Sequence, residues 1–273
     1  SEMCIRDRST HQRRHEYLTP AMPTHQRLSI QITGLVQGVG FRPFAYRLAL
    51  RCGLTGWVAN TAAGVQLEIQ GEPGQLDDYL TRFHSECPPL AHIESLDISP
   101  IPPEAETGFT LRTSQTTGDV SSFVLPDLAP CPACQAEMLD PGNRRYRYPF
   151  ISCTDCGPRW SLVTGLPFDR ERTAMSGFLL CPACQAEYHD PADRRFHAQT
   201  QCCPACGPAL GLHDRHGTRL AYAETALQHA VSLLRQGCIL ALKGVGGYQL
   251  AVDARDEAAV TRLRRLKSRP AKP

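Results

Sequence analysis

Two stretches of this 273-residue chain repeat each other at an offset of 50 residues. CPACQAEMLDPGNRRYRYPFISCTDCGP starts at Cys131, and CPACQAEYHDPADRRFHAQTQCCPACGP starts at Cys181. Cys131, Cys134, Cys153 and Cys156 align without gaps on Cys181, Cys184, Cys203 and Cys206, so C-x2-C-x18-C-x2-C occurs twice. A two-residue spacing lets two thiolates converge on one tetrahedral ion from a tight knuckle, and Gly157-Pro158 and Gly207-Pro208 turn the chain back. Four thiolates favour a structural zinc ion and leave no open position for catalysis. Iron–sulfur binding is the competing metal reading, and disulfides would need an export signal that the polar, basic N-terminus does not show. Two pairings share these spacings: sequential sites, or interleaved ones joining the first pair with the fourth and the second with the third. Cys202 competes with Cys203, and the repeat register selects Cys203. His189 and His197 are either substitute ligands or solvated loop residues, while Cys52, Cys87 and Cys238 read as core fillers.

Composition narrows the classes. With 42% hydrophobic residues the chain can bury real cores, and a net charge of +2 creates no strong field toward nucleic acid or membrane. No apolar stretch approaches the ~20 residues of a membrane span. Thirteen cysteines without an export signal point to a cytoplasmic metal protein. Of the 29 basic residues 26 are Arg, and the only lysines are Lys243, Lys267 and Lys272 near the C-terminal end. Lysine kept against such a bias suggests a chemical role. Residues 1–24 show neither helical nor strand period and are expected to be a non-native or disordered leader. The expected units are 25–115, a first module at 116–158, a second at 159–209, and a third unit at 210–273 that reads as truncated.

From Arg27 the pattern is strand, glycine loop, helix: Leu28, Ile30 and Ile32 alternate with polar residues, then GLVQGVGFRPF leads into a helix ending at Arg51. Strands at Gly56–Asn60 and Val65–Gln70, a helix at Gln75–Glu86, and strands near His92–Ile98 and Phe109–Thr113 give a ferredoxin-like βαββαβ order. The loop Gln37, Gly38, Val39, Gly40, Phe41 runs into a helix N-terminus with no acidic residue, so its amides can converge on a phosphate. Arg42 can clamp two phosphate oxygens. GLVQGVGFRPF followed by GWVAN resembles the acylphosphatase family. That resemblance implies that Arg42 binds an acyl phosphate and Asn60 orients the attacking water.

In the third unit, Thr225–Arg235 reads as an amphipathic helix, Cys238–Lys243 as a buried strand, and Glu257–Lys267 as a second helix. KGVGGYQL with LRRLKSRPAKP resembles the start of a YrdC-like α/β domain, which makes acyl-type adenylates from ATP. By that resemblance Lys243, Lys267, Arg269 and Lys272 contact nucleotide phosphates or carboxylate oxygens. Arg262, Arg264 and Arg265 read as a solvated helix face.

The fold expected is therefore α+β: an acylphosphatase-like domain, two zinc-ribbon-like modules, then a truncated YrdC-like domain. In that order the chain resembles the hydrogenase-maturation carbamoyltransferase family, HypF. The resemblance implies a relay in which carbamoyl phosphate is hydrolysed to carbamate and the carbamate reacts with ATP to give carbamoyl adenylate. The carbamoyl group then passes to a cysteine of a HypE-like partner. The chain as given is expected to retain only the first step, and that step is expected to survive removal of all eight zinc-ligand cysteines if the domains fold separately. Neither membrane nor nucleic acid is an expected partner, RNA entering only through the YrdC-like unit. Two other readings stay open: a zinc-ribbon binding module on an inactive acylphosphatase fold, and an O-carbamoyltransferase for small-molecule hydroxyls.

Overall fold

The computed structural model describes residues 25–116 and 123–270. The expected leader and Lys272 lie outside the described residues. Among them no helix is long and apolar enough to cross a membrane.

The first unit runs β1 (Gln26–Leu35), α1 (Phe41–Arg51), β2 (Thr55–Asn60), β3 (Gly64–Gly71), α2 (Pro73–Ser85), β4 (His92–Ile101) and β5 (Phe109–Leu111). Its sheet order is β4-β1-β3-β2-β5. The first four strands are the split βαβ arrangement predicted from the sequence, and β5 adds itself parallel to β2 at the far edge. Period-2 alternation sends Ile30 and Ile32 of β1, and Val65, Leu67 and Ile69 of β3, into one core. Helix α1 contributes Phe41, Ala45 and Leu48 to it, and α2 contributes Leu76, Tyr79 and Phe83. Phe41 and Phe83 meet edge to face at 5.5 Å and lock the two helices together.

Each cysteine module begins with a short helix directly after its first cysteine: α3 (Pro132–Leu139) and α4 (Pro182–His189), with Pro at the helix start, where no amide is needed. The two modules clasp each other reciprocally. Arg145 bonds Glu187 Oε2 at 2.5 Å and the Cys202 carbonyl at 2.9 Å. Arg195, fifty residues on, bonds Glu137 Oε2 at 2.6 Å and the Ser152 carbonyl at 3.1 Å. Arg144 and Arg194 flank them, each reaching the other module's glutamate and a cysteine sulfur, Cys184 at 3.2 Å and Cys134 at 3.2 Å. Residue i of one module meets residue j+50 of the other, and the reverse contact is also made, which is the logic of a two-fold interface built inside one chain. Burial alone would raise the Glu187 carboxyl, but Arg145 and Arg144 outweigh it and hold it at about 2.

The third unit contains a hairpin of β6 (Gly211–His213) and β7 (Arg219–Tyr222), then α5 (Ala223–Arg235), a second hairpin of β8 (Leu240–Gly244) and β9 (Gly247–Ala251), and α6 (Glu257–Leu266). The strand expected to be buried is not: Leu242 is 49% exposed, because β8 pairs only with β9. The glycines after it close a hairpin, with Gly246 at φ 78. Arg262, expected to be solvated, reaches back to the Gly237 carbonyl at the end of α5. Cys52 is buried as expected, whereas Cys87 and Cys238 are only half-buried.

Arg145→Ala is expected to cost about 3 kcal/mol, because it leaves the Glu187 carboxylate partly buried without its closest cation. Arg144→Ala, at a more exposed position, is expected to cost about 1 kcal/mol or less. Urea denaturation checks this; equal, small losses at both positions would contradict the reciprocal clasp.

Candidate functional site

The loop between β1 and α1 is shaped by two glycines in left-handed backbone, Gly38 at φ 71 and Gly40 at φ 76. Val39 and Phe41 anchor it in the core, while the amides of Gly38, Val39, Gly40 and Phe41 donate to no acceptor among the described residues. Unpaired amides at a helix N-terminus make an anion nest. The Gln37 amide is likewise unpaired among the described residues, and this residue does a further job. Its buried side chain donates to the Thr61 and Gly64 carbonyls at 2.8 Å and accepts from the Phe168 amide at 2.8 Å, tying the loop to the β2–β3 turn.

The structure brings Arg42 and Asn60 together. Both line one cavity of about 30 Å³ together with Gln37, Gly38 and Gly40. Asn60 is 1% exposed; its Nδ2 donates to the Phe168 carbonyl at 3.4 Å, and its Oδ1 has no partner. A buried acceptor without a donor costs about 1–3 kcal/mol, so it marks a place where a water or substrate proton belongs.

The rest of the cavity is not made by the first unit. Thr154 and Arg159 come from the second knuckle of the first module, Phe168 from the connection between modules, and His197, Gln199 and Thr200 from the second module. Arg159 is 2% exposed and pairs with no carboxylate. Its Nε donates to the Gly38 carbonyl at 2.6 Å, and its terminal nitrogens bond the carbonyls of Cys153, Thr154, Cys156 and Pro158. A second contact joins α1 to the second module, where Arg47 donates to the Pro191 and Asp193 carbonyls at 2.6 Å and Tyr46 packs on Phe196 at 5.1 Å. The first unit therefore packs directly against both modules. Gly38 and Gly40 bring the loop close enough to the module for its carbonyl to be reached.

Sequence reasoning missed Arg159, Phe168 and Asp169. At offset 50 Arg159 faces Ala209, one of many positions where the two copies differ, so the repeat alone does not single it out. His197 was read as a ligand substitute or a solvated residue, and it is neither. Burial first, and Arg42 second, hold its imidazole down at about 4, so it stays neutral beside Arg42 at pH 7.

The cysteines assemble sequentially. Cys131, Cys134, Cys153 and Cys156 form one tetrad, and Cys181, Cys184, Cys203 and Cys206 the other, the sulfurs of each lying within 4.8 Å of one another. A tetrahedral zinc ion with metal–sulfur bonds of about 2.3 Å sets sulfurs about 3.8 Å apart. The recorded contacts run from 3.4 Å for Cys134–Cys156 to 3.8 Å for Cys153–Cys156, so the donor set fits. Cys202 stays out, buried against Tyr148 in the core of the first module. Lys243 is exposed on β8, while Lys267 and Arg269 are exposed at the C-terminal end of α6, and among the described residues no side-chain contact joins them.

Comparisons with known proteins follow the same divisions. The Acylphosphatase family profile matches residues 28–111, the HypF finger profile residues 131–163 and 180–213, and the Telomere recombination (Sua5/YciO/YrdC) profile residues 232–273. Carbamoyltransferase HypF of Synechocystis sp. is 52% identical over 246 residues, covering 90% of this chain and 32% of that protein. An acylphosphatase of Salinibacter ruber is 45% identical over 76 residues, 28% of this chain and 79% of that protein. A solved full-length HypF, described as phosphate- and nucleotide-bound, superposes with a TM-score of 0.81 at 38% identity, covering 93% of this chain and 33% of that one. The chain thus spans about a third of the length of the curated relatives it matches.

Proposed function

Since the chain belongs to the HypF family, matching its N-terminal region, and its first unit belongs to the acylphosphatase family, we propose that this unit hydrolyses carbamoyl phosphate to carbamate and phosphate. The observation that carries the reading is the convergence of Arg42, the unpaired loop amides and the orphaned Asn60 Oδ1 on one cavity. The amides and Arg42 hold the phosphoryl oxygens. Asn60 Oδ1 accepts a hydrogen bond from a water and aims it at phosphorus. The water oxygen forms the new P–O bond as the bond to the carbamoyl oxygen breaks; carbamate departs with that electron pair and the water's proton goes to solvent. Position and charge suffice, so no covalent intermediate is needed.

In the whole-length protein the carbamate is proposed to react with ATP in the YrdC-like unit. Lys243, Lys267, Arg269 and Lys272 would bind phosphate oxygens there, and the carbamoyl group would pass from the adenylate to a HypE-like thiol. In the two modules, zinc is proposed as the ion each tetrad holds. It would fix the two modules, which carry Arg159 and His197.

Two measurements test this. Arg42→Ala is expected to slow carbamoyl phosphate hydrolysis by ~10²–10³, with Arg42→Lys a poor rescue because one ammonium cannot reproduce the guanidinium fork. Asn60→Ala should lower kcat more than it raises KM. Near-parental turnover in a folded Arg42→Ala protein would end the acylphosphatase reading. Elemental analysis should find two zinc ions per chain; iron, or fewer than two zinc ions in the folded chain, would contradict the tetrad assignment.

A further inference from the structure

The guanidinium that should hold the phosphoryl group already holds an anion of its own chain. Asp169 Oδ1 lies 2.8 Å from Arg42 Nη2, with the two side chains only 12% and 18% exposed. The same nitrogen donates to the Phe168 carbonyl at 3.2 Å, and Nη1 donates to Ser114 Oγ at 3.3 Å. An arginine can fork an oxyanion along two edges, Nε with Nη2 or Nη1 with Nη2, and both edges include Nη2. Neither fork can therefore close on a phosphate while Phe168 and Asp169 stay in place. Charge says the same, since a carboxylate within a few ångströms of a phosphoryl dianion repels it in a poorly solvated site. Room says so too. About 30 Å³ holds a water or two, less than an acyl phosphate requires.

We propose that Asp169, carried on the connection between the two cysteine modules, is a placeholder for the substrate's phosphoryl group. The inference rests on the acyl-phosphate reading of this site. Without substrate, the Asp169 carboxylate neutralises Arg42, and the Phe168 carbonyl occupies the donors of Arg42 and Asn60. Substrate exchanges its phosphoryl oxygens for both, and Asn60, its Nδ2 released from the Phe168 carbonyl, is free to turn its Oδ1 to the water. Asp169 is a positioning residue in this scheme. It keeps the guanidinium in the cavity and sets a threshold that only a multiply charged, bidentate ligand passes. Arg172, 3.6 Å from Asp169 Oδ2, is the cation that receives the displaced carboxylate. The connection remains attached on either side, through Phe168 to Gln37 and through Arg170 to the Gln199 and Gln201 carbonyls, so the exchange needs a shift of one peptide and one side chain.

The test titrates inorganic phosphate into the full chain by calorimetry, comparing the parent with Asp169→Asn and Asp169→Glu. Asp169→Asn keeps the shape and removes the charge, so its phosphate Kd should fall about ten-fold, the worth of one partly buried ion pair. Its KM for carbamoyl phosphate should fall in step, and Asp169→Glu, which keeps the charge, should not bind phosphate more tightly than the parent. Damage to the fold would weaken binding, so tightening is not explained by misfolding. An unchanged or larger Kd in a folded Asp169→Asn chain overturns the placeholder, even if carbamoyl phosphate is still hydrolysed. Tighter phosphate binding without any hydrolysis would support the placeholder and reject the catalytic reading.

Discussion

Arg159 is the contact on which the site's geometry depends. Its guanidinium is buried and satisfied entirely by main-chain carbonyls, four in the first module's second knuckle and one at Gly38 in the anion loop. Burial lowers its pKa, yet the side chain remains a cation at any physiological pH. A charge without a carboxylate partner is stable there because several carbonyl dipoles share it. The consequence is mechanical. The knuckle cannot move without dragging the loop, since Arg159 and Phe168 pack over Gly38 and Thr154 packs over Gly40.

The knuckle in turn depends on the other module. Two tetrads of thiolates would each carry a net double negative charge around a divalent ion, and each has an arginine pair from the opposite module within reach of a sulfur. The glutamates between them, Glu137 and Glu187, bind those arginines and fix their direction. Duplication therefore does more than supply two ions. It yields a self-complementary pair whose outer surface is free to depart from symmetry, and the departures are what the site uses. Arg159 has no counterpart in the second module, and His197 stands where the first module has Arg147.

Much of this was legible in the sequence, for definite reasons. Strand alternation and glycine punctuation place every element of the first unit, because its helices and strands obey local periodicity. Arg42 and Asn60 are readable since both lie in short contiguous motifs, one at the start of α1 and one at the end of β2. The tetrads are readable up to the choice of pairing, which depends on the third dimension and not on spacing. What was not legible is long-range. Arg159 reaches Gly38 across 121 residues and Phe168 reaches Gln37 across 131, and nothing local at Arg159, Phe168 or Asp169 announces a partner. The exposed β8 strand failed for a related reason: an apolar run reads as buried whether or not the elements that would bury it are at hand.

The cysteine modules build part of the candidate site, and hydrogen exchange reads this directly. Exchange should be followed for segments covering Gln37–Phe44 and Asn60–Gly64, in the metal-loaded chain and after chelation. Loss of metal should release the knuckle, free Arg159, and sharply raise exchange in both segments while α2 keeps its protection. Unchanged protection at the loop after both tetrads have lost their metal would contradict the account.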